Sequence, residues 1–290
     1  MGYTSSDVRR TCYFHAGCPD GFGAAWAVWR SWGDEARYVP RSHGDPFDPT
    51  IHEDTEVVFV DIALRNDQLR ALGEVADRLV VLDHHVSALD HYKSDLAVEN
   101  LLARAGHTIH FDLSHSGAVL AWQHFHPEEP VPELLRYVED QDLWSWKLPR
   151  ADAVNATIAS YKQAFPTWDA LAQRSWQDLA DEGEPILRAQ RIEVERILHF
   201  AHPVTLGNQR VEAVNSLHHR SVIGHELAKR AAFGQPMGLV YRIAGSRVDV
   251  SIYSIGDVDV ASIACAHGGG GHRNAAGFSV ALRSWLEQFV

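Results

Sequence analysis

The chain has 290 residues, 46% hydrophobic and 22% charged, with a formal net charge of −12. That length allows two domains or one large one and is enough to bury a sizeable core. The acidic balance argues against broad binding of long duplexes, which draws on many Lys and Arg contacts to phosphate, and no apolar run nears the roughly 18 residues that cross a membrane.

No basic segment followed by an apolar stretch marks a secretion signal. Three cysteines, Cys12, Cys18 and Cys265, show neither zinc-type spacing nor a disulfide framework, so a reducing cytoplasm is the expected location. Met1-Gly2-Tyr3-Thr4-Ser5-Ser6 loosely fits an N-myristoylation pattern, a motif short enough to arise by chance.

In chain order, a first strand is predicted over 11–15, followed by the turn Gly17-Cys18-Pro19-Asp20-Gly21 and an Ala- and Trp-rich helix over 22–32. Trp26, Trp29 and Trp32 recur every three residues, a spacing that favours helix packing over base stacking. Strands are expected at 36–40, 55–61 and 78–82, with a helix at 66–77 between the last two. Strand, helix and strand joined by short loops imply a parallel sheet and an α/β fold. Helices follow at 116–126 and 131–137. The helical pattern over 167–200 is expected to break at Gly183 and Pro185. A domain boundary is placed near Pro203. Beyond it the pattern turns to strands at 211–214, 237–242 and 247–253, helices near 218–232 and 257–266, and a closing strand and short helix.

The chemistry gathers at strand ends. Thr11-Cys12-Tyr13-Phe14-His15, Glu56-Val57-Val58-Phe59-Val60-Asp61 and Arg78-Leu79-Val80-Val81-Leu82 each run apolar and then deliver a polar group, the last into Asp83-His84-His85. Ligands bind outside the carboxyl ends of strands in open α/β sheets, and buried acids and imidazoles need partners. His15, Asp20, Asp61, His84 and one further acid suit one or two Mn²⁺ ions, with Mg²⁺ as the alternative. Asp61, if its strand is central in the sheet, is placed to bridge two ions. Asp83 is expected to fix its neighbouring ring or loop. For the distant acid, Asp140 is preferred and Asp142 is the rival, within a stretch that otherwise reads as a solvated acidic turn. Trp144 and Trp146 beside it are expected to pack in the core, with a base platform as the other reading.

The run His267 to Gly277 holds four consecutive glycines, Gly268 to Gly271, too costly in entropy to be a spacer. Their bare N–H groups can form an anion nest, and His272 and Arg273 add heads for phosphate. Ser116 is expected at a helix N-terminus near the metals, where N–H groups favour anions. Arg220 is a further phosphate contact to weigh.

Taken together, His15 with Asp20, Asp61, Asp83-His84-His85, Asp140 and Gly269-Gly270-Gly271-His272, with the glycine element extending to Gly277, resemble the DHH-family phosphoesterases that carry a C-terminal DHHA1 domain, over nearly the whole chain. The resemblance implies a parallel-sheet DHH catalytic domain over 1–182, a helical linker over 183–203 and a smaller α/β DHHA1 domain over 204–290. It implies His15, Asp20, Asp61, His84 and Asp140 as metal ligands and Asp61, Asp83, His84 and His85 as the catalytic set, with His85 facing phosphate. It further implies His272 and Arg273 as holding the nucleotide; with the glycine nest and the helix start read above, Gly269, Gly270, Gly271, His272, Arg273 and Ser116 are the expected substrate-binding residues. The implied activity is metal-assisted hydrolysis of short RNA or DNA oligonucleotides in the manner of the nano-RNase exonucleases. A pAp phosphatase or a cyclic or linear dinucleotide phosphodiesterase is the alternative. A nucleotide-binding regulatory protein with a weakened metal site is the reading from another class. No membrane partner is expected, and a homodimer is allowed. One departure stands out: Pro19-Asp20 matches the earlier of two family acids, and Phe22 then falls where the later acid belongs, with Cys18 near enough to substitute.

Overall fold

The computed structural model describes residues 9–290; the myristoylation-like hexapeptide lies outside them. The chain divides after Leu187 into two compact units, and each is built on its own sheet.

The first unit contains β1 (Arg10–His15), α1 (Pro19–Trp32), β2 (Arg37–Arg41), β3 (Glu56–Val60), α2 (Asn66–Val75), β4 (Arg78–Asp83), α3 (Val86–Lys93), α4 (Leu96–Arg104), β5 (Thr108–Phe111), α5 (Gly117–Phe125), α6 (Glu133–Asp142), α7 (Ala151–Ser160) and α8 (Phe165–Ala172). Its sheet has the order β2-β1-β3-β4-β5, and every pairing is parallel. Parallel strands covered on both faces read as continuous apolar runs rather than alternating ones, and Val57 to Val60 and Leu79 to Leu82 are all buried. The order sets β3 in the centre with β1 and β4 beside it, so His15, Asp61 and Asp83 leave the sheet side by side.

Small residues let α1 and α5 approach closely: Ala24, Ala25, Ala118 and Ala121 are fully buried in one core. Trp26 stacks on Trp122 at 5.5 Å between ring centroids and donates its indole N–H to Asp169 at 3.0 Å. Trp29 stacks on Phe165 at 5.1 Å, so these indoles serve packing. Phe22 is buried against Phe14, Phe165 and Trp168 at 5.9, 5.2 and 5.2 Å.

Helix α9 (Trp176–Leu198) runs unbroken through Gly183 and Pro185, contrary to the sequence expectation. The break falls earlier, at 173–175. Gly183 is set by close packing, since a Cβ there would stand 1.8 Å from the Ala153 carbonyl oxygen. The turn around Pro185 is held from outside by Arg150, which pairs with Asp181 at 2.6 Å and Glu184 at 3.2 Å. Tertiary contacts here override the helix-breaking tendency.

The division after Leu187 falls inside α9. The second unit continues with β6 (His202–Leu206), β7 (Gln209–Asn215), α10 (Arg220–Arg230), β8 (Met237–Ala244), β9 (Arg247–Ser254), α11 (Val260–Ala266), β10 (Gly270–His272), β11 (Ala275–Ala281) and α12 (Leu282–Gln288). Its six strands lie in the order β10-β11-β9-β8-β7-β6; β7 and β8 are parallel and the other pairs antiparallel. Strand β9 alternates as expected and packs Val248, Val250 and Ile252 into the core with Trp285 of α12. Among the described residues no helix is long and apolar enough to cross a membrane.

Candidate metal centre

The site forms where β1, β3 and β4 end. Cys18 caps α1, its Sγ accepting the Gly21 N–H at 3.2 Å, and Asp20 follows in the first helical turn, 1% exposed. The two Asp20 oxygens accept the N–H groups of Gly117 at 2.7 Å and Ala118 at 3.1 Å. These are first-turn donors of α5, which have no partner within their own helix and favour a negative charge. Ser116 caps the same helix by accepting the Val119 N–H at 3.4 Å. The sequence places a helix N-terminus at Ser116, and its first two donors go to Asp20.

Asp61 follows β3 in a left-handed conformation at φ 57°, a strained state for a non-glycine residue that turns its side chain out of the sheet. Its N–H still donates to the Leu82 carbonyl at 2.9 Å. Its carboxylate serves two groups with separate oxygens. On one side, the His84 Nε2 lies 3.0 Å from Asp61 Oδ1, 3.4 Å from Asp142 Oδ2 and 3.6 Å from Asp20 Oδ2. On the other, Asp61 Oδ2 stands 3.4 Å from His15 Nδ1 and 3.5 Å from Cys18 Sγ. The ligand-capable atoms of Asp20, His84 and Asp142 cluster together, and so do those of His15, Cys18 and Asp61.

Asp83 does not join either group. Its Oδ1 accepts the His84 N–H at 2.8 Å and the His85 N–H at 3.3 Å, and lies 2.7 Å from the His85 Nδ1. It thereby fixes the turn after β4 and the His85 ring, whose Nδ1 is 4.0 Å from Asp61 Oδ1.

Asp140 and Asp142 part company. Two residues along a helix point about 200° apart, so only one can face the cluster. Asp142 does. Asp140 turns away and accepts the N–H groups of Lys147 at 2.9 Å and Leu148 at 3.2 Å, bracing the loop after α6. The preference for Asp140 is corrected in placement: the rival acid is the one that meets His84. Asp20 sits with His84 and Asp142, Cys18 stands beside His15 and Asp61, and Phe22 lies in the core. His43, from the loop after β2, stands 5.3 Å from His15 and 5.9 Å from His85 between ring centroids. Nothing in its Pro/Asp/Gly-rich context marks it in the sequence.

Burial, with Asp61 and Asp142 close by, pushes the Asp20 carboxyl well up. Burial also raises Asp142, against the pull of His84. Burial opposes charge on Asp61 as well, but hydrogen bonds from His15 and His84 outweigh it and hold the carboxyl well below the usual range. His84 is buried too, yet Asp61, Asp20 and Asp142 push it up to about 10. Three acids crowd one imidazole ring, and the Asp142 Oδ2 is buried with no hydrogen bond. Carboxylate oxygens with one imidazole form the donor set of a hard divalent cation, and such an ion would satisfy that oxygen and offset the repulsion.

In the second unit the glycine run does not form an open nest. The N–H groups of Gly268 and Gly269 donate to the carbonyls of Cys265 and Ala264, each at 2.9 Å, closing the end of α11. Gly270, Gly271 and His272 then pair with Gly277, Ala276 and Ala275. Close backbone approach explains the glycines: a Cβ at Gly269 would meet the Gly277 oxygen at 2.0 Å, and Gly271 has φ 140°. Arg273 ends beside Asp257, donating to its carbonyl at 2.9 Å. Arg220 donates to Ser251, and its buried Nε has no hydrogen-bond partner. In the first unit Trp144 and Trp146 are 36% and 37% exposed with rings 5.0 Å apart, edge to face. They are not core residues, contrary to the favoured expectation, because both follow the C-terminus of α6 in left-handed backbone that turns them outward.

No protein-family model matches the chain. The chain is 27% identical over 292 residues to "Uncharacterized protein R106" of Acanthamoeba polyphaga mimivirus, a match covering 92% of this chain and 66% of that protein. Among solved structures, it is similar to a pGpG-specific phosphodiesterase, PggH, from Vibrio cholerae, at 12% identity and a TM-score of 0.47 over 96% of this chain and 95% of that one. It is also similar to an exopolyphosphatase-related protein from Bacteroides fragilis, at 10% identity and a TM-score of 0.47 over 94% and 86% of the respective chains.

Proposed function

We propose that this protein is a divalent-metal-dependent phosphoesterase acting on short oligonucleotides or nucleotides. One observation carries the reading: Asp20, Asp61 and Asp142 converge on His84 at the carboxyl edge of a parallel sheet, and a buried Asp142 oxygen is left without a hydrogen bond. These four residues would hold a hard cation, Mn²⁺ or Mg²⁺. When bound, such a cation neutralises phosphate charge and acidifies water.

The protein's own groups do the rest. His85 is raised in basicity by Asp83 despite its burial. Its Nδ1 is committed to Asp83, so Nε2 is the atom that holds a proton for the leaving oxygen. Asp83 keeps that ring in one orientation. The exposed indoles of Trp144 and Trp146, on the loop that follows Asp142, offer faces for a nucleobase. The resemblance to DHH phosphoesterases with a DHHA1 domain supports the same chemistry, and the net charge of −12 supports short substrates over long duplexes.

The test is a panel assay with Mn²⁺ or Mg²⁺ and pAp, a linear dinucleotide, a short RNA and a cyclic dinucleotide, with Asp61→Ala as control. Hydrolysis of the linear dinucleotide and short RNA, lost in Asp61→Ala, is expected. Exclusive turnover of pAp or of the cyclic substrate would redefine the substrate. Tight binding with no hydrolysis in either metal would replace the enzyme by a regulatory nucleotide binder.

A further inference from the structure

We infer that His15, Cys18 and Asp61 form a thiolate-containing cation position selective for a thiophilic divalent ion such as Zn²⁺, beside the harder position at Asp20, Asp61, Asp142 and His84. The inference rests on the metal-dependent reading of the same site and assigns its two halves different ions.

The geometry is a triangle of three different donor atoms. Cys18 Sγ lies 3.7 Å from His15 Nδ1 and 3.5 Å from Asp61 Oδ2, and His15 Nδ1 lies 3.4 Å from Asp61 Oδ2. Around a tetrahedral zinc ion, bond lengths of about 2.3 Å to sulfur and about 2.1 Å to nitrogen and oxygen put neighbouring ligands roughly 3.4–3.6 Å apart. Around an octahedral ion with bonds of about 2.1 Å, neighbouring ligands are only about 3.0 Å apart. The observed edges match a tetrahedral face, and three protein donors leave the fourth position open.

The donor chemistry points the same way. Thiolate sulfur is a soft ligand that selects zinc over manganese or magnesium. The other group presents only carboxylate oxygen and imidazole, so the two positions differ in hardness. They share one residue, because Asp61 turns Oδ1 to His84 and Oδ2 to His15 and Cys18. The Cys18 thiol now donates to that Oδ2. Binding replaces its proton with the ion and releases the proton to solvent. The position of Cys18 is fixed by its second task, capping α1 through the Gly21 N–H, so the sulfur is held in place before any ion arrives.

The test titrates the metal-free full chain with Co²⁺, whose bond to sulfur gives an intense near-ultraviolet charge-transfer band, and counts bound Co²⁺, Zn²⁺ and Mn²⁺ by elemental analysis. The wild type is expected to show the band, to bind two Co²⁺ ions per chain and to prefer Zn²⁺ over Mn²⁺ at one of them. Cys18→Ser keeps an oxygen able to cap α1 and is expected to lose the band and one ion. Cys18→Asp is expected to lose the band while binding a second Mn²⁺. Co²⁺ binding without the band, or a band that survives in Cys18→Ser, overturns this inference and leaves the phosphoesterase reading standing. Failure to bind any divalent ion overturns both.

Discussion

Gly117 lies directly against Asp61: a Cβ on the glycine would stand 2.4 Å from the Asp61 Cβ. The same Gly117 donates its N–H to Asp20 at 2.7 Å. One residue at the start of α5 thus positions two of the three converging carboxylates, one by leaving room and one by hydrogen bonding. Gly117→Ala is expected to displace Asp61, at a stability cost of about 1–3 kcal/mol for overpacking, and to weaken metal binding. Calorimetric metal titration alongside urea unfolding checks this; unchanged ion affinity in a folded variant would refute it.

Asp140 and Asp142 should separate stability from chemistry. Asp140→Ala strips both acceptors from the Lys147 and Leu148 N–H groups and is expected to cost about 1–3 kcal/mol. Asp142→Asn should abolish metal-dependent hydrolysis without comparable loss of stability, since its buried Oδ2 accepts no hydrogen bond. Urea midpoints and turnover of a short RNA, measured on both variants, decide it. Equal stability effects would contradict the assignment.

Asp83→Asn is expected to slow hydrolysis by roughly 10–100-fold, the usual penalty for losing a group that orients a functional imidazole. Asp83 Oδ1 gathers three donors from His84 and His85, and an amide cannot favour the charged His85 ring. The basic arm of the pH–rate profile should shift to lower pH in the variant, because Asp83 raises His85. An unmoved profile would remove His85 from proton transfer.

His225 predicts an acid weakness far from the metal centre. Burial pushes its imidazole below 6.5, so the unfolded state binds its proton more readily. The contribution of neutral His225 is therefore complete above about pH 6.5 and is lost as pH falls through the folded value. His225→Gln, which keeps a donor for the Ser221 carbonyl, should flatten the decline in urea midpoint between about pH 7.5 and about pH 5. An identical decline in both proteins would exclude His225 as a cause.

Much of this molecule is legible before folding. The buried parallel strands announce themselves because burial on two faces demands unbroken apolar runs, and each run visibly ends on a group that does not belong in a core. His15, Asp61 and Asp83-His84-His85 could be assigned to one sheet edge on that ground alone. The tertiary structure decided the finer points. Whether Asp140 or Asp142 faces His84 depends on the rotation of α6 against the sheet. Whether Cys18 or Asp20 sits beside His15 depends on how the turn before α1 closes. Gly183 and Gly269 looked like a break and a nest, but they are contacts, where a neighbouring backbone leaves no room for a side chain. Pattern along a chain records which residues must be buried and with what period. It does not record rotation, register or which atom spends its hydrogen bonds where, because those are fixed only when segments distant in sequence press against one another.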